Sequence, residues 1–362
     1  MRNILIALAT VALAAVPLGF AQNVELLGAG ATFPAPLVTA MADEYRDVTG
    51  GRVTINYQSI GSGGGIRQFT EQTVMFGMTE AFLNDEQLAA IAEAGGGIAF
   101  NLPITLGDVV PTYNLPGVQA GLVFDGDTLA EIFLGTITTW ADPQIAQRNP
   151  DVRLPPLPIT VVHRSDGSGT TNIWTSYLTK VSPTWAERVG FATSVNWPTG
   201  IGGNGNEGVA GVVQNTPGAI GYNSLVYAAL NDIAYGFVIN KSGNVIEPSL
   251  EATSLAAAVE LPADTRILVT DTDAPDGYPI AGFAWMLLYE NLDANNAIQT
   301  RTQAEALVRF ILWSITDGQD LAEPLSFSRI PDEVLELNLD MIRQLKWQGE
   351  EVGAQVLAEA GY

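Results

Sequence analysis

GAGATFPAP, residues 28–36, has the composition of a tight turn that opens a helix. Gly28 and Gly30 let the backbone turn sharply and come close to a ligand. Thr32 is a candidate helix cap, and Pro34 suits a first helical turn. Leu37, Met41, Tyr45 and Val48 follow as a stripe with helical period. As a dinucleotide fingerprint the segment fails, because Phe33 stands where G-x-G-x-x-G needs glycine.

Two further turns have the same design. RVTINYQSI, residues 52–60, alternates like a strand and runs into GSGGGIR, residues 61–67. There Ser62 is a candidate cap, with Ile66 and Phe69 facing inward. The apolar run from Leu157 to Val162 leads into RSDGSGTT, residues 164–171, with Ser168 as the cap and Ile173, Trp174, Tyr177 and Leu178 as a buried helical face. No G-x-x-x-x-G-K-[ST] is present, so none of the three is a P-loop. Farther along, Ala281 to Leu288 reads as a strand, and Leu307, Val308, Ile311, Leu312 and Ile315 mark a late helix. Strands alternating with helices in this way point to an α/β fold.

A glycine and a serine before a helix are usually only a cap. The set of three says more. A helix N-terminus offers free N–H groups and a partial positive charge. Three such ends, each with a hydroxyl, could surround a small tetrahedral oxyanion. Arg164 is either a surface arginine or the planar fork that grips such an anion, and its local pattern leaves both open. Asp166, two residues on, is placed to hold that guanidinium.

Composition narrows the partners. MRNILIALATVALAAVPLGFAQN, residues 1–23, reads as a secretory signal cleaved near Ala21, its apolar run too short for a membrane span. There is no cysteine, so neither disulfides nor a lipid on a cysteine is expected. The formal charge of -23 argues against nucleic acid or an anionic membrane as partner. It also means that an anionic ligand must be held by local dipoles and buried donors against the mean field.

At these turns the chain resembles the periplasmic phosphate-binding proteins of high-affinity bacterial phosphate transporters. The resemblance rests on residues 28–36, IGSGGG (60–65) and RSDGSGT (164–170). It continues through LGTITTW (134–140), NWPTGIGGNGNEGV (196–209) and PGAIGY (217–222), covering essentially the whole mature chain in order. It implies a two-lobed α/β clam-shell with crossing hinge strands near Ile104–Val110 and Tyr278–Phe283. Residues 22–106 and 278–362 would form lobe I and residues 107–277 lobe II, with residues 1–21 as the signal. By the same resemblance Thr32, Phe33, Ser62, Glu80, Arg164, Ser168, Gly169 and Thr170 would bind phosphate, with Asp166 behind Arg164. Glu80 stands where the family usually has aspartate, the carboxylate that accepts the proton carried by phosphate; Met75 replaces a common acidic neighbour. The resemblance further implies inorganic phosphate as ligand, permease subunits of an ABC importer as partners, a periplasmic monomer, no cofactor and no nucleic acid.

Rival readings stay in view. His163, Asp166 and Ser168 invite a serine-type phosphoester hydrolase, but Asp166 stands where G-x-S-x-G needs its first glycine. One histidine and no cysteine disfavour a transition-metal site. Asp271, Asp273 and Asp276 lack the spacing of a calcium loop. A stand-alone phosphate scavenger without a transporter reads the same in sequence as an importer subunit.

Overall fold

The computed structural model describes residues 23–362. The expected signal at residues 1–21 lies outside them. The strands run β1 (Val24–Gly30), β2 (Val53–Ser59), β3 (Phe76–Thr79), β4 (Ala99–Tyr113), β5 (Val123–Phe124), β6 (Thr160–Arg164), β7 (Ile201–Gly203), β8 (Ala219–Ser224), β9 (Ala234–Tyr235), β10 (Phe237–Ile239), β11 (Val245–Ile246) and β12 (Ala281–Tyr289). Most belong to one nine-stranded sheet in the order β2-β1-β3-β12-β4-β8-β6-β7, with β9 beside β4.

β1 lies parallel to both β2 and β3. β6 lies parallel to β7 and β8. The two parallel groups are joined through the antiparallel strands β12 and β4. All fifteen residues of β4 are buried, as are all nine of β12. That is why both read as near-continuous apolar runs rather than alternating ones. Pro103 has no N–H for the ladder, and beside it the register shifts by one residue, Ala284 facing Thr105 while Trp285 faces Pro103.

β4 changes partner midway. Up to Asp108 it pairs with β12, Asp108 facing Ala281. From Val109 it pairs with β8, Val109 facing Ser224. At this junction Val109 N–H donates to the Ile280 carbonyl (2.9 Å) and the Tyr278 hydroxyl donates to the Val109 carbonyl (3.2 Å). The segments Ile104–Val110 and Tyr278–Phe283 therefore lie against each other.

Helices cover the sheet. Leu37, Met41 and Tyr45 of the helix Ala35–Val48 are buried as their spacing predicts, but Val48 is half exposed. The helical period carries Val48 past the edge of the buried face. The apolar run at Leu157 becomes a strand only from Thr160, because Pro155, Pro156 and Pro158 interrupt its start. Among the described residues no helix is long and apolar enough to cross a membrane.

Candidate functional site

The site lies where strands end and helices begin, at the carboxyl ends of β1, β2, β3, β6 and β7. Open α/β sheets present ligands with free helix N-termini at such edges. β1 delivers Thr32 and Phe33 just ahead of the helix Ala35–Val48. β2 runs into Gly61, whose φ of 84° is a left-handed turn that favours glycine, and the helix Ser62–Thr70 starts immediately after it. A Cβ on Gly61 would also collide with the Asp166 carboxylate. β3 delivers Glu80, β6 delivers Arg164, and Ser168 caps the helix Gly169–Val181, its Oγ accepting the Thr171 N–H at 3.0 Å.

Arg164 is 3% exposed. Its Nε donates to Asp166 Oδ1 at 2.7 Å and its Nη2 to Asp166 Oδ2, a two-pronged pair that sets the plane of the guanidinium. Nη1 lies 3.4 Å from Thr170 Oγ1. Burial alone would raise the Asp166 pKa. Hydrogen bonding and charge from Arg164, with a bond from Gly205 N–H (3.0 Å), hold it below the usual carboxylate range. Asp166 is thus a fixed anion behind the arginine.

Glu80 has the opposite balance. Its side chain is buried, its Oε2 accepts from the Ser62 hydroxyl at 3.3 Å, and its N–H donates to Ser62 Oγ at 3.3 Å. Oε1 has no hydrogen-bond partner. Burial pushes its pKa up to about 8; Arg164 and Ser62 act against that rise and Asp166 adds to it. A Cβ on Gly169 would fall on the Glu80 carboxylate and the Ser62 hydroxyl, so only glycine lets this helix N-terminus come so close. Asn172 Nδ2 donates to the Glu80 carbonyl at 3.4 Å, and Gly63 N–H to the Gly167 carbonyl at 2.9 Å, tying the turns to one another.

The first-turn N–H groups of a helix have no acceptor within it. Gly63 and Thr171 give theirs to Gly167 and Ser168, which leaves those of Ser62, Gly64, Gly169 and Thr170 without an acceptor among the described residues. The hydroxyls of Thr32, Ser168 and Thr170 each accept from an N–H group. Each therefore has its single proton to give.

Thr32, Ser62, Glu80, Arg164, Ser168, Gly169 and Thr170 thus come together in one buried cluster. Phe33 joins it only through its backbone, since its ring packs on Phe327 with centroids 5.6 Å apart. Two of the expected caps are corrected. The first helix is capped by Pro34, not Thr32, and Ser62 is the first residue of its helix, behind Gly61. Their hydroxyls are taken by tertiary partners, Asn206 for Thr32 and Glu80 for Ser62. Asn206 and Tyr222 are members that sequence reasoning did not single out. Tyr222 Oη accepts the Arg164 N–H at 3.1 Å and shares a 2.6 Å hydrogen bond with Thr171 Oγ1. His163 takes no part: its ring stacks on Trp197 at 4.8 Å, and its Nδ1 lies 3.0 Å from the Arg164 carbonyl. With Asp166 bound to Arg164, no serine-histidine-aspartate relay forms.

Comparison with known proteins gives the family and the fold. The PBP superfamily domain matches residues 19–317. The chain is 39% identical to the phosphate-binding protein PstS of Pasteurella multocida over 319 residues, covering 87% of this chain and 89% of that one. It is 34% identical to PstS of Methanocaldococcus jannaschii over 336 residues, covering 88% and 85%. Among solved structures it shares its fold with PfluDING, a high-affinity periplasmic phosphate-binding protein solved with phosphate bound (TM-score 0.71, 21% identity, 93% of this chain and 98% of that one). It shares it also with the phosphate-binding protein of Stenotrophomonas maltophilia (TM-score 0.64, 19% identity, 87% and 92%).

Proposed function

Because this chain belongs to the PstS phosphate-binding proteins of the PBP superfamily, we propose that it is the extracytoplasmic capture subunit of an ABC phosphate importer. It binds inorganic phosphate and is not an enzyme. Phosphate is held between two lobes, residues 22–106 with 278–362 and residues 107–277, and handed to membrane permease subunits. The compartment is the periplasm, reached through the signal at residues 1–21.

Thr32, Ser62, Arg164, Ser168, Gly169 and Thr170 supply donors to the anion, Phe33 supplies a backbone N–H, and Asp166 holds Arg164 in plane. The observation that carries this reading is a set of buried donors around one unpartnered acceptor, Glu80 Oε1. An oxyanion satisfies the donors. Once Glu80 is ionised, only an oxyanion that brings a proton also satisfies the acceptor, and phosphate does so while sulfate does not. Glutamate in place of aspartate keeps that acceptor, its added length taken up against Ser62.

Titration calorimetry with sodium phosphate at pH 9, where Glu80 is ionised, tests the reading. The expected result is saturable 1:1 binding that a hundredfold excess of sulfate does not abolish. No binding of phosphate, or equal binding of the two anions, would overturn it.

A further inference from the structure

We propose that Asn206 is a positioning residue that forces two threonine hydroxyls, Thr32 and Thr170, to aim their protons at the bound anion. The inference rests on the phosphate reading above and adds a residue that does not itself need to touch the ligand. Its logic is the polarity of hydrogen bonds. A backbone N–H can only donate, and the Ser224 N–H points at Asn206 Oδ1 from 3.0 Å. That atom is therefore the amide oxygen, and the amide nitrogen faces the other way. Asn206 Nδ2 lies 2.8 Å from Thr32 Oγ1 and 3.0 Å from Thr170 Oγ1. The Asn206 backbone N–H, also donor only, reaches Thr32 Oγ1 at 3.1 Å.

Thr32 Oγ1 thus accepts two hydrogen bonds, and both lone pairs are taken. Thr170 Oγ1 accepts from Asn206 and from Arg164 Nη1 at 3.4 Å. A hydroxyl carries one proton and two lone pairs. With the lone pairs committed, each threonine can only donate to what lies on its remaining side. Without Asn206 either hydroxyl could rotate to accept instead, and part of the binding energy would go into reorienting it. Hydrogen-bond donors fixed before the ligand arrives lose less on binding.

Asn206 is in turn held from the sheet. Asn223 Nδ2 of β8 donates to the Asn206 carbonyl at 2.7 Å, and Thr112 Oγ1 of β4 donates to Asn223 Oδ1 at 3.0 Å. The direction of the two threonine protons is therefore set by a chain of hydrogen bonds that starts in the sheet. Thr32 and Thr170 arrive from different helix starts, so one amide sets the donors on two sides of the anion.

A double-mutant cycle on the full chain, read by calorimetry with inorganic phosphate, tests the proposal. Asn206→Ala should weaken phosphate binding by about ten- to a hundredfold in the wild-type background, one or two hydrogen bonds' worth. In a Thr32→Val/Thr170→Val background the same change should cost less than about threefold, because the hydroxyls it orients are gone. An equal loss in both backgrounds would mean that Asn206 acts only through packing or lobe closure, and would overturn the proposal. Should Asn206→Ala not fold, Asn206→Asp keeps the shape and turns the donor into an acceptor that draws both hydroxyl protons away. It should bind phosphate at least a hundredfold more weakly than wild type, and binding within threefold would overturn the proposal. If the wild-type chain itself fails to bind phosphate, both the phosphate reading and this inference fall together.

Discussion

At the proposed ligand site Glu80 is buried beside Arg164 and Ser62. At the point where β4 changes partner Asp108 is buried facing Thr253 and the Tyr278 phenol. Burial raises both pKa values to about 8. The two carboxyls still differ in what they are left to do. Glu80 has one oxygen on Ser62 and one unpartnered, in a cluster of donors with an arginine close by. Neither oxygen of Asp108 has a hydrogen-bond partner, since Thr253 gives its proton to the Ser249 carbonyl at 2.7 Å. No cation among the described residues offsets its burial. A buried acid with nothing to accept from is best kept neutral. A buried acid amid donors is a half-built hydrogen bond that a ligand can complete. The same desolvation thus produces a structural proton in one place and, on the proposed reading, a selector in the other, and the difference lies in the neighbours.

The largest effect should come from removing the cation that makes the Glu80 environment an anion site. Arg164→Ala takes away charge-assisted bonds worth about 1.5–3 kcal/mol each. Phosphate affinity measured by calorimetry should fall by at least about a hundredfold, at 1.4 kcal/mol per decade. Asp166 would also lose its partner, so the variant carries an unpaired acid next to the anion. Wild-type affinity in Arg164→Ala would remove Arg164 from the site and with it the contrast between the two carboxyls.

A smaller effect separates them from the other side. For both acids the folded-state pKa, about 8, lies above the ordinary carboxylate value. The folded chain therefore holds these protons more tightly than the unfolded one. The stability this brings is fully present below about pH 4 and is lost as the pH rises through about 8. Melting temperatures of the phosphate-free protein should fall between pH 5 and pH 9. Asp108→Asn should flatten that fall and melt several degrees above wild type at pH 9, while its phosphate affinity at pH 6 stays within about twofold. An unchanged melting profile would mean that Asp108 is not a buried proton holder. A large loss of affinity would mean that the strand junction and the ligand site are not as separate as drawn.

Much of this was legible in the sequence. The glycine-hydroxyl turns at Gly28–Pro34, Gly61–Arg67 and Arg164–Thr171 mark strand-to-helix passages by local chemistry, and β12 announced itself as an unbroken apolar run. Ser168 as a cap and Asp166 as the partner of Arg164 are contacts within a few residues, which a linear reading reaches. The misassigned caps of Thr32 and Ser62 went wrong for one reason: a side-chain oxygen beside a helix start was taken by a distant partner. Asn206 is 174 residues from Thr32 and 36 from Thr170, so nothing local marked it, although its segment was part of the resemblance. Asp108 sat unremarked in a strand-like run. Its isolation is a property of what packs around it, and no window of sequence contains that.

On the proposed reading, Glu80 is the acceptor through which a protonated oxyanion is chosen. Sulfate brings no proton, so it can bind only while Glu80 keeps its own. Above the Glu80 pKa of about 8, sulfate affinity should therefore drop tenfold per pH unit. Hydrogen phosphate still supplies the shared proton and should bind with little change. Glu80→Gln offers an N–H donor at every pH and should make sulfate binding nearly independent of pH. The measurement is competition of sulfate against phosphate at constant ionic strength, from pH 7 to pH 10, in wild type and Glu80→Gln. The expected result is a phosphate-to-sulfate preference that climbs about tenfold per pH unit above pH 8 in the wild type and stays flat in the variant. Parallel curves for the two proteins would contradict it.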